Sequence, residues 1–229
     1  MIGKSIANRP YMYLPLKGDT NDYSTNAQNP SNTGVTTTTG QFGESNGAYE
    51  WDSSTDRLSW SSSIGNTVAT MLNNQFTMMF FSNANGIQDQ ARFLNQLNNI
   101  SSQYSFQFTY SSTNNASSIL FVNTSTTYST FNDVDNMFST TDFVMVAYST
   151  EKISSDIHLK QYSSGVLLDT QTTTIIPRAA STTTMNLGMR PGVNDFGKIG
   201  KLHCFRIYNV TLSDGALKIL NNEKGRIRA

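Results

Sequence analysis

The sequence predicts an all-β, two-sheet antiparallel sandwich. Short runs of alternating apolar and polar residues recur between turns rich in Ser, Thr, Asn and Gly. Two runs, at 76–81 and 142–148, are apolar at nearly every position, as central strands covered on both faces are. The chain of 229 residues is also long enough to bury a core without covalent staples.

The elements follow in order. Tyr11 to Leu16 reads as a first strand, ended by Lys17-Gly18-Asp19. Residues 19–41 are polar and read as a long surface loop, with a β-prone but exposed run at Thr36 to Thr39. Tyr49 to Trp51 and Leu58 to Trp60 alternate around a turn at Asp52 to Asp56. Phe76 to Phe81 is a central strand. Ile87, Ala91, Leu94, Leu97 and Ile100 fall close to helical spacing, which predicts a short inserted helix over 87–100 with a bulged strand as the alternative.

Strands resume at Tyr104 to Tyr110 and Ser118 to Val122. Asp142 to Tyr148 is the second doubly covered strand. Ile157 to Tyr162 and Val166 to Asp169 make a hairpin around Ser163-Ser164-Gly165. Thr172 to Ile176 and Thr183 to Met189 precede a closing strand at 200–209. One short helix ends the fold: Ser213 can cap it, Asp214 suits its positive end, and Leu217 and Leu220 give it an apolar side. No repeat or composition shift marks a second unit, so a single domain over 1–229 is expected.

Composition excludes several functions. Only 14% of residues are charged, and 16 basic side chains balance 16 acidic ones. No net field attracts nucleic acid or an anionic membrane, and the basic cluster Lys224, Arg226 and Arg228 reads as a solvated tail. Thirteen Phe and ten Tyr distinguish the chain from a disordered one. The single cysteine, Cys204, permits no internal disulfide and reads as a small buried side chain. No signal peptide is visible in the first residues and no apolar run reaches membrane-spanning length. The Asn-x-Ser/Thr strings at Asn99, Asn115, Asn123 and Asn209 are expected by chance in so hydroxyl-rich a chain.

Several segments resemble, in order, the motifs of the laminin-G-like, concanavalin A-like lectin–glucanase family. Tyr13-Leu14-Pro15-Leu16 with Asp22-Tyr23-Ser24 resembles its opening. Ala48 to Asp52, Phe76-Thr77, Val144 to Tyr148, Leu159 to Leu167 and Asn186-Leu187-Gly188 resemble successive strands. Gly200 to Asn209, then Leu212-Ser213, Leu217 and Leu220, resembles the closing strand and helix. The resemblance implies a jelly-roll sandwich that serves mainly as a binding scaffold. It departs at His203-Cys204, where relatives often carry acidic residues, and at Ala216, where Glu is usual.

The chemistry expected on such a scaffold narrows as follows. Retaining hydrolysis needs two carboxyls about 5 Å apart, and no Glu-x-Asp-x-x-Glu string occurs; the nearest pair, Asp133 and Asp135, reads as a turn. His158 and His203 lack any nucleophile motif, so no enzyme is expected. Calcium is the metal that oxygen ligands here would suit, with Asp22 and Asp52 as candidates and turn capping as their alternative role. Aromatic platforms for a sugar are Trp51, Trp60, Tyr104 and Tyr110, with core packing favoured for Trp60 because it shares a face with Leu58.

The expected function is a non-catalytic recognition or structural module. A virion surface protein is favoured, either capsid decoration or a tail or fibre adhesin, acting at a particle surface or extracellularly. Its partners would be glycans or other virion proteins, with homo-oligomers as a further option. An independent soluble lectin is the alternative, and a glycoside hydrolase or lyase ranks third.

Overall fold

The computed structural model describes residues 9–87, 89, 91–96, 105–111, 116–122, 126–131, 137–177, 182–189 and 199–223. The first part of the chain forms β1 (Met12–Leu14), β2 (Ser31–Thr33), β3 (Thr36–Thr38), β4 (Ala48–Trp51) and β5 (Arg57–Trp60), then helix α1 (Ser62–Leu72). The middle forms β6 (Gln75–Asn83), β7 (Ala91–Asn95), β8 (Phe106–Ser111), β9 (Ala116–Val122) and β10 (Thr126–Phe131). The last part forms β11 (Val144–Ile153), β12 (Asp156–Ser163), β13 (Val166–Thr173), β14 (Met185–Gly188), β15 (Gly200–Tyr208) and helix α2 (Asp214–Glu223).

These strands make two antiparallel sheets. One runs β13-β12-β11-β6-β15-β4-β3, with β1 also paired to β15; the other runs β10-β9-β8-β7-β14-β5-β2. The chain crosses between layers several times, as from β4 to β5, while β7 to β10 stay in one sheet and β11 to β13 in the other. Side chains at every second position meet between the sheets. Met12, Leu14, Leu58, Phe76, Phe80, Phe108, Tyr148 and Phe205 belong to that core. Stacked rings join the layers: Phe80 lies 5.0 Å from Phe93, and Phe93 lies 5.1 Å from Phe138.

The outer face of the first sheet has its own apolar cover. Met79, Phe81, Met145, Ala147 and Tyr162 pack with Leu212, Leu217 and Leu220. This explains why β6 and β11 are apolar on both faces. Burying Leu217 and Leu220 contributes about 1.5–3 kcal/mol each. The Oγ of Ser213 accepts the Ala216 N–H at 3.3 Å, and the Tyr162 hydroxyl donates to Asp214 Oδ1 at 3.0 Å.

β15 is broken by a bulge. Its register shifts between His203 and Arg206, and Cys204 sits at φ 56°. Before the bulge β15 pairs with β4, and after it with β1; at the junction the Cys204 N–H donates to the Pro15 carbonyl at 2.9 Å. Cys204 itself is buried among Met79, Phe81 and Tyr208, where burial pushes its thiol pKa up.

Three expectations are corrected. No helix occupies the described residues of 87–100; the bulged-strand alternative holds instead, since β7 is a strand with an irregular register against β8 between Arg92 and Leu94. All five β7 residues are buried, Arg92 and Asn95 included, so burial leaves no period to read. The inserted helix is instead α1, held by Val68, Ala69 and Leu72. Residues 19–41 are not all loop, because β2 and β3 pair there with β5 and β4. Thr172 to Ile176 is not a separate strand: Thr172 and Thr173 end β13. β10 was not foreseen. Asn99, Asn115, Asn123, Asp133, Asp135, Lys224, Arg226 and Arg228 lie outside the described residues. Among the described residues no helix is long and apolar enough to cross a membrane.

Candidate functional site

The structure places the two tryptophans inside the sandwich. Trp51 is buried in β4, and its indole N–H donates to the Leu187 carbonyl at 3.2 Å. Trp60 is buried in β5, donates to the Gln28 carbonyl at 2.7 Å, and stacks 6.5 Å from the Phe205 ring. A ring with no face in solvent cannot stack on a sugar, so both belong to the core. Tyr110 is half-buried and meets Phe138 edge-on at 4.7 Å. Tyr104 lies outside the described residues.

Asp22 is the hub of its own loop. Its Oδ1 accepts the N–H groups of Tyr13 and Ser24, both at 2.8 Å. Its Oδ2 accepts the Gln28 N–H at 2.7 Å and the Ser24 hydroxyl at 2.9 Å. Three backbone N–H groups thus converge on this carboxylate, with the Ser24 hydroxyl shared between it and the Tyr11 carbonyl. Asp22 ties the loop to β1, which is the turn-capping role. Asp52 is exposed; the buried acid of that turn is Asp56, whose Oδ2 accepts the Asp52 and Ser53 N–H groups at 3.0 and 2.9 Å. Burial pushes the Asp56 pKa up, with those two donors opposing it. Among the described residues no three His, Cys, Asp or Glu side chains converge as metal ligands would. His158 and His203 lie on β12 and β15, with β11 and β6 between them.

One hollow lies on the outer face of the first sheet, where Asn83 of β6 pairs with Lys201 of β15. Beside it stands His203, which shares the outer face of β15 with Lys201 ahead of the bulge. His203 Nε2 lies 2.9 Å from Gln41 Oε1. The imidazole sits 4.9 Å from the Phe81 ring and 5.4 Å, edge-on, from Phe143. Burial pushes its pKa down to about 4, with Glu44 partly opposing. The ring is therefore neutral at pH 7, and its Nε2–H donates to Gln41.

Gln41 belongs to a loop folded around Glu44. The Gly40 N–H donates to the Glu44 carbonyl at 3.0 Å, and the Phe42 N–H to Glu44 Oε2 at 2.8 Å. The fit is close enough that a Cβ on Gly40 would lie 2.6 Å from Glu44 Cδ. Phe42 stands at the tip, 52% exposed. Between this loop, the end of β6 and segment 141–143 lies a cleft of about 460 Å³. Gln41, Phe42, Asn83, Asp142, Phe143 and Lys201 line it. It holds one carboxylate and one ammonium; the remaining polar groups are amides and hydroxyls.

A larger groove of about 810 Å³ opens at the C-terminal end of α1, lined by Met71, Asn74, Gln75, Lys152 and Asn209 among others. It is more open and has no aromatic ring, so the Phe42 cleft is the better candidate. Sequence reading missed that cleft. Phe42 is a lone aromatic in a polar loop, and only the pairing of β15 with β6 brings Lys201 opposite Asn83.

No protein-family model and no curated protein matches the chain. Solved structures do match in fold. The receptor-binding domain of a botulinum neurotoxin C/D mosaic serotype aligns with a TM-score of 0.67 at 13% identity, over 94% of this chain and 51% of that one. The binding domain of botulinum neurotoxin DC in complex with rat synaptotagmin II aligns with 0.62 at 15%, over 94% and 51%. The same domain in complex with SialylT aligns with 0.63 at 16%, over 96% and 52%. The chain spans about half the length of these domains. At such identities the likeness is one of fold: a two-sheet antiparallel β-sandwich.

Proposed function

We propose that this chain is a non-catalytic recognition module of the laminin-G-like, concanavalin A-like class, one domain over residues 1–229. It works at a virion or other extracellular surface, contacting glycans or neighbouring protein subunits. The Phe42 cleft carries this reading: an exposed ring beside a polar hollow that contains a single carboxylate, Asp142. Glycoside hydrolysis by paired acids needs a second one. The structural neighbours support the reading, since two of them are binding domains solved with a protein receptor and with SialylT.

The test is a labelled sample of the chain on a glycan array, with the bound oligosaccharides then analysed for cleavage. Binding without cleavage is expected, and cleavage overturns the non-catalytic assignment. Mass spectrometry of purified particles tests the virion setting, which absence of the chain would remove. An independently acting lectin would give the same array result with no particle association.

A further inference from the structure

A second cluster lies on the outer face of the first sheet, beside α2, and shares no residue with the Phe42 cleft. We infer that Arg206 and Tyr13 form a binding site for a carboxylate group. This goes beyond the recognition role proposed above and does not depend on it.

Tyr13 of β1 and Arg206 of β15 stand opposite each other in the ladder. The guanidinium carbon lies 4.7 Å over the Tyr13 ring, which holds its plane. Arg206 Nη1 donates to the Tyr208 hydroxyl at 3.4 Å. Two buried groups beside that bond, Arg206 Nε and the Tyr13 hydroxyl, have no hydrogen-bond partner among the described residues. Burial pushes the Tyr13 pKa up to about 12, so the hydroxyl keeps its proton at pH 7 and remains a donor. Among the described residues no carboxylate pairs with Arg206. Glu223 of α2 acts on Cys204 and Tyr208 through its charge, without an ion pair to the guanidinium.

These groups fit one ligand chemistry. With Nη1 engaged by Tyr208, the free edge of the guanidinium is Nε–Nη2, two parallel N–H groups that match the two oxygens of a carboxylate. The Tyr13 O–H adds a third donor and no charge. The cluster borders the apolar packing beneath α2, where one positive charge suits a monoanion better than a doubly charged tetrahedral ion. A charge drawn out of water without a counter-charge is costly, and a bound carboxylate offsets that cost. Tyr13 and Arg206 are each only partly buried, so the cluster opens to solvent. The donors read a free organic acid and an Asp or Glu side chain of a protein partner alike.

The experiment follows the Arg206 Nε–H signal and the Tyr13, Cys204 and Tyr208 amides by NMR of the isotope-labelled chain at constant ionic strength. The probes are propionate, N-acetyl-glutamate N-methylamide, propionamide and sulfate. Propionate should move these signals saturably, and propionamide should not. Saturation by the blocked glutamate as well assigns the site to a protein partner; saturation by propionate alone assigns it to small free acids. Arg206→Lys keeps the charge without the fork, and Tyr13→Phe keeps the ring without the hydroxyl. Each should weaken propionate binding about tenfold. Thermal melts check folding, and the conservative Tyr13→Phe carries the test if Arg206→Lys does not fold. An equal response to sulfate would overturn the carboxylate class. Shifts that stay linear in concentration, or that survive both variants, would overturn the site. So would a Glu223→Gln variant whose Arg206 Nε–H signal moves as far as saturating propionate moves it, since Glu223 would then be the internal partner. Glycan-array binding with no response to either acid would overturn the carboxylate site and leave the recognition role standing.

Discussion

His203 Nε2 donates to Gln41 Oε1 at 2.9 Å, joining the closing strand of one sheet to the loop that carries Phe42. The histidine is only 5% exposed, and its neutral form is the one the site holds. Its pKa falls from 6.5 to about 4 on folding. Between those values the unfolded chain binds a proton that the folded chain refuses. Stability is therefore full above pH 6.5 and declines as the pH falls toward 4, by about 3 kcal/mol over the whole window. Urea midpoints should drop between pH 6.5 and 4.5. His203→Gln should flatten that slope, and an unchanged slope would refute the assignment.

Gly188 should not accept a side chain. Its φ is +104°, and a Cβ there would lie 2.5 Å from the Asp56 carbonyl oxygen and 2.8 Å from the Trp51 ring. Both neighbours are fixed by the core. Gly188→Ala should cost about 3 kcal/mol, from strain and overpacking together. Denaturant midpoints measure it, and a loss below about 1 kcal/mol would show that the core yields there.

Removing the Asp22 carboxylate strands the N–H groups of Tyr13, Ser24 and Gln28. Asp22→Ala should destabilise by about 2–3 kcal/mol. Asp22→Asn should recover part of this, because one acceptor oxygen remains. Calcium or a chelator should leave the Tm of the native chain unmoved. A calcium-dependent rise in Tm that Asp22→Ala abolishes would make Asp22 a metal ligand and not a turn cap.

Helix α2 is attached by the Tyr162–Asp214 hydrogen bond and an apolar seam, and the seam should dominate. Tyr162→Phe removes the bond to Asp214 Oδ1 and should cost about 1–2 kcal/mol. Leu217→Ala should cost about 3 kcal/mol by leaving a cavity beneath the helix. Denaturant midpoints that reverse this order would move the anchor from packing to the tyrosine.

The fold was largely legible because its signals are local. β4, β5 and the β12–β13 hairpin fall where alternation placed them, and Ser213, Leu217 and Leu220 act at α2 as expected. α1 was not read. Its sequence, SSIGNTVATML, is poor in strong helix formers, and only Ile64, Val68 and Leu72 at four-residue spacing betray it. Its stability comes from packing and from distant polar contacts. The Gln96 amide donates to the Ser62 carbonyl at 3.3 Å and to Asn66 Oδ1 at 3.0 Å. The reverse error at β7 has the same origin: burial on both sides erases period two. The cleft was illegible for another reason. Phe42, Asn83, Asp142 and Lys201 share no segment, and each looks ordinary within its own.

The bulge at Cys204 lets one strand hold two partners in turn. Among the described residues β1 pairs with β15 alone, almost the whole described chain away. That ladder spans the costliest loop in the molecule, and its entropy must be met before any of its three residue pairs forms. β1 should therefore dock late in folding, after β15 has settled between β6 and β4. A ribosome-bound chain would therefore carry Met12 and Leu14 without their strand partners until the closing strand emerged.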